Sequence, residues 1–348
     1  MSRGSKLGAK QRTTLRKINP ETLKGSENIV KYLVMFGVLA PSTHNTQPWK
    51  VKISGLRLEI YADFSKGIPE ADPSGRDLYM SVGAFIKNIE LAAFSYGLEF
   101  TTLLHTDLKE KSYLATVEFV SLEKLQKAKD QPTLEAIISR QNMRGFFKEE
   151  IDHKTVRAIL AKIRSRQVHL SCFFDEETRE KLASHTAEGL SMAYKDPNFR
   201  REISSYINHN LSKKRHGLHG YSLRMSLPVS VIVPKIVKRK DIGAKLSKLN
   251  YDSFISAPGA VVFSGLDEPD TWLKTGMALE QMMVELSKHG IYSSIYAAAI
   301  EMGDLRRQVT KLLKDDKNYV AQLIVCIGHA QKPLKFSVRK DPKSIITR

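Results

Sequence analysis

Cysteine is nearly missing from this chain: Cys172 and Cys326 are the only two in 348 residues, and no C-x-x-C pair occurs. That excludes a disulfide framework and makes a reducing cytoplasm the simplest compartment. Long apolar runs are also lacking, none approaching the roughly 18 residues that a membrane span needs. The segment Met1 to Lys17 has neither an acidic residue nor an apolar core. It is therefore no secretory signal, although its composition leaves a transit peptide open. No glycine-rich dinucleotide fingerprint is present, so a nicotinamide would have no domain of its own.

What the chain has in excess is positive charge, a formal +18 at pH 7, on an ordinary globular background of 42% hydrophobic and 26% charged residues. Its length suits one large domain or two ordinary ones. The charge is dispersed, with concentrations at Lys213-Lys214-Arg215, Lys235 to Lys240 and the tail from Lys332. No zinc-finger spacing or aromatic-basic strand signature accompanies it, so nucleic-acid binding rests on charge alone and a basic surface is the better reading. Leu223 to Lys240 mixes apolar and basic residues, which raises peripheral membrane contact; Pro228 and Pro234 argue against one continuous amphipathic helix there. His216 and His219 lack a nearby carboxylate or cysteine cluster and read as solvated loop residues, and no metal site is expected.

Hydrophobic periodicity predicts a buried helix over Asn28 to Leu39, a hairpin of Trp49 to Ile53 with Leu56 to Tyr61, and a long helix from Asp77 to Tyr96. Ala115 to Val120 reads as a strand. Farther on, Lys154 to Lys162 reads as a helix, His169 to Phe174 and Ala260 to Ser264 as strands, Asp270 to His289 as a helix and Ala321 to Ile327 as a buried strand. Two of these pieces repeat. Asp77, Gly83 and Gly97-Leu98 recur at identical spacing as Asp270, Gly276 and Gly290-Ile291, with an aromatic two residues after each aspartate. Arg12-Thr-Thr-Leu-Arg16 pairs more weakly with Arg140-Gln-Asn-Met-Arg144. Two copies are too few for a solenoid and suit a pseudo-two-fold pair.

The stretch Leu39-Ala-Pro-Ser-Thr-His-Asn-Thr-Gln-Pro-Trp49 has one counterpart missing in the second copy. Pro41 and Pro48 stop helix and sheet from running through it, and hydrogen-bonding side chains fill the space between. On composition alone it is a polar turn. Trp49 and Trp272 read as core anchors.

The Ala40 to Trp49 string resembles the flavin-covering loop of the nitroreductase family of FMN proteins. Arg140, Asn142, Arg144 and Phe146 resemble that family's first-helix Arg-x-Ser-x-Arg-x-Phe signature, with asparagine in place of serine. Asp270 to Ile291 resembles its core helix, and Ile327-Gly328 followed by Arg339 its closing strand and terminal phosphate-binding arginine. The doubled length is similar to the two-halved, Acg-like branch.

The resemblance implies an α+β, nitroreductase-like fold: two related halves forming an intrachain pseudo-dimer, with mixed, mainly antiparallel sheets packed by helices. The expected divisions are a basic N-terminal arm at 1–27, a first half at 28–130 and a second at 131–348, with a lid-like insertion at about 194–248. One composite FMN site is implied, from Pro41, Ser42, Asn45 and Gln47 of the first half with Arg140, Gln141, Asn142, Arg144 and Arg339 of the second. Tyr296-Ala297 would approach the reactive edge of the ring. Arg12 and Arg16 are assigned to a mirror site that lacks its proline loop near Val168 to Ser171, or to a plain basic tail. No catalytic side chain is named, because a flavin carries the hydride itself.

The implied function is an FMN-dependent oxidoreductase that passes electrons from NADH or NADPH to a nitro-aromatic, quinone or similar small acceptor. The alternative is FMN storage or sequestration with little turnover, and a basic nucleic-acid-binding protein is a distant third. A monomeric pseudo-dimer or a weak homodimer is expected.

Overall fold

The computed structural model describes residues 2–106, 110–148, 150–163, 165, 167–331 and 335–347. The first residues of the basic tail, 332–334, lie outside that set. The chain opens with α1 (Arg3–Lys17) and α2 (Ser26–Gly37), then β1 (Trp49–Ser54), β2 (Arg57–Ala62), α3 (Arg76–Ser95), β3 (Phe100–Leu104) and β4 (Tyr113–Phe119). Next come α4 (Gln131–Ser139), β5 (Phe147–Lys148), α5 (His153–Leu160), β6 (Val168–Phe173), α6 (Glu176–Lys195) and α7 (Pro197–Tyr206). A short parallel pair, β7 (Ile207–Asn208) and β8 (Leu218–His219), precedes α8 (Leu227–Arg239) and α9 (Gly243–Ile255). The last part holds β9 (Gly259–Gly265), α10 (Pro269–Ser287), β10 (Tyr292–Tyr296), α11 (Ala298–Glu301), α12 (Gly303–Lys311), β11 (Val320–Ala330) and β12 (Ile346–Thr347).

Two main sheets result, and the fold is α+β with mixed, mainly antiparallel pairing. The first has the order β12-β1-β2-β4-β3, antiparallel except that β12 joins β1 in parallel. The second runs β10-β11-β9-β6, antiparallel throughout, with β5 also pairing to β11. The chain's last strand thus returns to the sheet built from its first residues.

Between the sheets lie α3 and α10, packed on each other along their length. Both are apolar on more than one face, as central helices must be. Phe85, Ile86, Leu273 and Met282 are fully buried, each contributing about 1.5–3 kcal/mol. Their crossing depends on the repeated glycines. A Cβ on Gly83 would collide with the Leu273 carbonyl, and one on Gly276 with the Met80 carbonyl. Each glycine meets the residue three positions before the other, the reciprocity that a local two-fold axis between the repeats produces.

Three expectations need correction. The basic N-terminal segment is a capped helix, with the Ser2 side chain accepting from Ser5 N; its Leu15 and Arg12 are buried. Arg140 to Phe146 is not helical: α4 ends at Ser139, and Arg140 has extended backbone, φ −51° and ψ 137°. Leu227 to Arg239 is one continuous helix. Pro228 stands in its first turn, where no backbone N–H is needed, and Pro234 lies inside it. Tyr194, Ile203, Ile207 and Val237 form a small core of their own in this region.

Candidate functional site

The proline loop is held in strained backbone. His44, Asn45 and Gln47 have φ of 50°, 55° and 55°, the left-handed region that costs a non-glycine residue about 1–2 kcal/mol. Such conformations persist where surrounding structure over-determines them. Here two distant segments do so. Asn45 Nδ2 donates to the Gly217 and Val338 carbonyls at 3.2 and 3.3 Å, and Gly217 N donates back to the Asn45 carbonyl at 3.1 Å. Gln47 Nε2 donates to the Arg215 carbonyl, and Gln47 Oε1 accepts from Lys340 N, both at 2.7 Å. Segment 206–219 and tail 335–340 therefore clamp the loop from opposite sides.

Beside it opens a cleft of about 650 Å³ of free space, counting its open mouth. Pro41, Ser42, Asn45, Arg140, Gln141, Asn142, Arg144 and Arg339 all line it, so residues about a hundred and three hundred positions apart in sequence come together. Three others from the sequence reading do not line it. Gln47 is wholly buried in its clamp. Tyr296 is buried at the end of β10, its hydroxyl 3.1 Å from Ser253 Oγ, and Ala297 follows it. Segment 140–144 nonetheless runs along β10: Met143 N donates to the Ser293 carbonyl at 2.6 Å, and Asn142 Oδ1 accepts from Ile295 N at 3.1 Å.

The cleft's floor is electrostatically unusual. Arg140 and Arg339 are buried, and Arg12 from α1 is buried with them. This overturns the placement of Arg12 in a mirror site or a free tail. The reason is close packing: Gly8 brings α1 against the Phe336 and Ser337 carbonyls, where a Cβ would not fit, and the Arg12 guanidinium lies 4.3 Å from the centre of the Phe336 ring. Val168 to Ser171, the expected mirror position, is part of strand β6. Arg16, by contrast, points away and pairs with Glu135 on α4.

Among the described residues one carboxylate faces two of these guanidiniums, Arg140 and Arg339. Glu280 of α10 pairs with Arg140 Nε at 2.9 Å, both groups buried, but neither Glu280 oxygen accepts a well-aligned hydrogen bond. Burial pushes its carboxyl up to about 7 despite the Arg140 charge beside it. Arg12 bonds only carbonyls, those of Ile138, Gly8 and Ser337. Arg339 donates to Asn45 Oδ1 at 3.0 Å, and Arg140 and Arg339 both reach the Leu39 carbonyl, at 2.7 and 3.4 Å. Burial and neighbouring guanidiniums lower Arg12 well below the usual arginine range, and burial and Arg140 lower Arg339 to about 10. Arg140 Nε has only its contact with Glu280, and Arg339 Nε has no hydrogen-bond partner among the described residues. Three buried cations against one weakly ionised acid is a cradle for an anion with several oxygens, the chemistry of a phosphate.

At the mouth, Arg144 is exposed, with no carboxylate partner among the described residues. His44 also lines the cleft, its ring 5.9 Å from that of Tyr206. Burial and Arg144 lower its pKa to about 4, so it stays neutral. Leu218 and Ser222 add a wall from the 206–240 segment. Arg12, His44 and Glu280 are among the site residues that sequence reading left out. His44 was visible inside the polar run; Arg12 had only its place in the weaker arginine repeat.

His219 is buried rather than solvated, and burial lowers its pKa to about 4. Among the described residues it joins no metal-ligating cluster.

No family model matches the chain. Among curated proteins it is 32% identical over 88 residues to "Putative NAD(P)H nitroreductase Rv3131" of Mycobacterium tuberculosis, covering 25% of this chain and 26% of that one. It is 22% identical over 185 residues to the same organism's "Putative NAD(P)H nitroreductase acg", covering 53% of this chain and 55% of that one. Over these stretches the chain is similar to putative NAD(P)H nitroreductases. It matches about a quarter to a half of the length of these proteins. An FMN-bound nitroreductase from Desulfitobacterium hafniense aligns with TM-score 0.41 and 16% identity, over 63% of this chain and 98% of that structure.

Proposed function

We propose that this chain binds FMN in the cleft between the proline loop and the arginine cluster, and works as a nitroreductase-type oxidoreductase. The observation that carries the reading is the joint burial of Arg12, Arg140 and Arg339, with one buried carboxylate among the described residues, Glu280, paired to Arg140. Such a group of cations is costly to bury without a matching anion, and a phosphate monoester of charge near −2 supplies one. The fit extends outward. Ser42, Asn142 and Gln141 offer the mixed donors and acceptors that the polar edge of a flavin ring requires. Arg144 is an exposed cation at the mouth, where it would stabilise negative charge on a reduced ring.

When bound, the flavin supplies acceptance and donation of hydride. The chain's own residues bind and orient it. The three arginines anchor its phosphate, the clamped backbone of residues 42–47 limits movement of the ring, and neutral His44 adds no charge. NADH or NADPH would donate transiently against the ring, and a nitro-aromatic, quinone or similar acceptor would follow it into the same open mouth.

The test is the purified protein's colour and its response to reductant. A yellow protein, or one that turns yellow with added FMN, that bleaches anaerobically with NADH or NADPH and recovers with a quinone bears the reading out. Yellow protein that no nicotinamide bleaches would leave a binding protein instead of an oxidoreductase. Protein that neither carries nor takes up flavin would end the proposal.

A further inference from the structure

Helix α8 exposes more aliphatic side chains than it buries. Its inward face carries Ser230 and Val237, both buried, with Val233 and Pro234 half-buried between them. Leu227, Val229, Val231, Ile232 and Ile236 are between 38% and 54% exposed. At about 100° per residue Val231, Ile232 and Ile236 lie on the outward side with Lys235 and Arg239 among them, Val229 lies at its edge, and Leu227 sits in the exposed first turn. An ordinary surface helix buries most of its aliphatic residues and shows water its polar ones. The inward serine is no accident of placement: Asn210 N donates to Ser230 Oγ at 3.1 Å, and Ser230 Oγ donates to the Leu227 carbonyl at 2.7 Å. These bonds hold the aliphatic arc outward. Leu211, next to Asn210, is 57% exposed as well.

Charge indicates what covers this face. Between Glu202 and Asp241 the chain has no acidic residue, but eight lysines and arginines. Lys235, Lys238, Arg239 and Lys240 are exposed in and after the last turn of α8, and Lys213 and Lys214 follow Leu211. Aliphatic side chains flanked by cations, with no carboxylate among them, match the layered chemistry of a membrane surface: acyl chains beneath anionic headgroups. A second copy of the chain would bring the same acid-free stretch against itself with no carboxylate to pair it. A nucleic acid would gain nothing from the exposed isoleucine, valine and leucine.

We propose that α8, with the loop at Leu211 to Lys214, is a docking surface for anionic lipid bilayers, lying in the interface plane without crossing it. No helix among the described residues is long and apolar enough to cross. The same segment supplies Leu218 and Ser222 to the cleft wall, so docking would set the cleft close to the membrane. The inference stands apart from the flavin reading, and colourless protein that binds vesicles would leave it intact.

The experiment is co-sedimentation of the full chain with vesicles of phosphatidylcholine alone or mixed with phosphatidylglycerol. Binding to the mixed vesicles, much reduced on the neutral ones, is expected. Ile232→Glu with Ile236→Glu should lower binding at least about tenfold. Lys238→Ala with Arg239→Ala and Lys240→Ala should lower it about a hundredfold and weaken its salt dependence. Circular dichroism and thermal unfolding should stay unchanged in both, because these side chains point away from the core. Equal binding to neutral and anionic vesicles, or no binding to either, would overturn the proposal. So would a dimer in solution that Ile232→Glu dissociates, since a second copy would then cover the face.

Discussion

Two buried charge clusters sit within one fold and carry opposite imbalances. The first is the cleft floor, three buried arginines with Glu280 paired to Arg140. The second lies at the start of α3, where Asp72, Asp77 and Glu301 bring their carboxylates within 4.8 Å of one another and Arg76 supplies a cation among them, paired with Glu301. Each has more of one sign than its partner can neutralise. The second can correct itself. Burial and Asp77 raise Asp72 to about 6, burial and Asp77 raise Glu301 to about 8, and burial raises Asp77; shared protons remove the excess. Arginine has no such escape near neutral pH. A buried excess of carboxylate can therefore be satisfied by protons, whereas a buried excess of guanidinium calls for an anion from outside. Imbalance alone does not mark a binding site; imbalance that protonation cannot relieve does.

That contrast can be broken most decisively at the arginines. Arg140→Ala should weaken FMN binding about a hundredfold, as expected for a charge-assisted bond of about 2–3 kcal/mol, and Arg339→Ala should do the same in a fluorescence titration. Arg12→Ala should cost at least about tenfold. Full retention in Arg12→Ala would mean that only two of the three cations grip the anion.

Glu280→Gln tests the other side of the cleft. Ionised Glu280 cancels one cation, so affinity should fall as pH rises through about 7, and the glutamine variant should bind about tenfold more tightly above that pH, where wild-type Glu280 is charged. The variant's own profile should keep only the ionisation of the ligand phosphate. Identical profiles for the two proteins would show that Glu280 does not sense the site.

A smaller effect should appear in stability. Glu301 is ordinarily near 4.5 and is raised to about 8 in the fold. The folded state binds its proton more tightly, so this contribution is fully present below 4.5 and is lost as pH rises through about 8. Melting temperature should fall across that window, by a few degrees, and Glu301→Gln should make the fall shallower. Asp72 and Glu280 work in the same direction and would leave a residual slope. A melting temperature that rises across the window would contradict the proton-sharing account.

Much of the fold was legible because its signals are local. The stripe Val82, Phe85, Ile86 and Ile89 announced α3 within about two residues of its true ends, and the alternating residues around Ser54-Gly55 announced the β1–β2 hairpin. The repeated glycines located a contact before any geometry was known. Reading failed where a local rule met a tertiary partner. α1 has no apolar stripe, and its place depends on Gly8 meeting the 336–337 backbone. Pro234 sits inside α8 because neighbouring turns and tertiary contacts hold the helix together around it.

The candidate site divides in the same way. Sequence by itself determined the polar loop between Pro41 and Pro48, and the family resemblance of its short motifs pointed to the arginines at 140, 144 and 339. Only the tertiary structure decided that Gln47 ties the loop down outside the cleft, that Arg12 joins the cluster, and that, among the described residues, Glu280 is the carboxylate set against it. These are matters of charge brought close through space, and no spacing along the chain records how many buried cations will share one carboxylate.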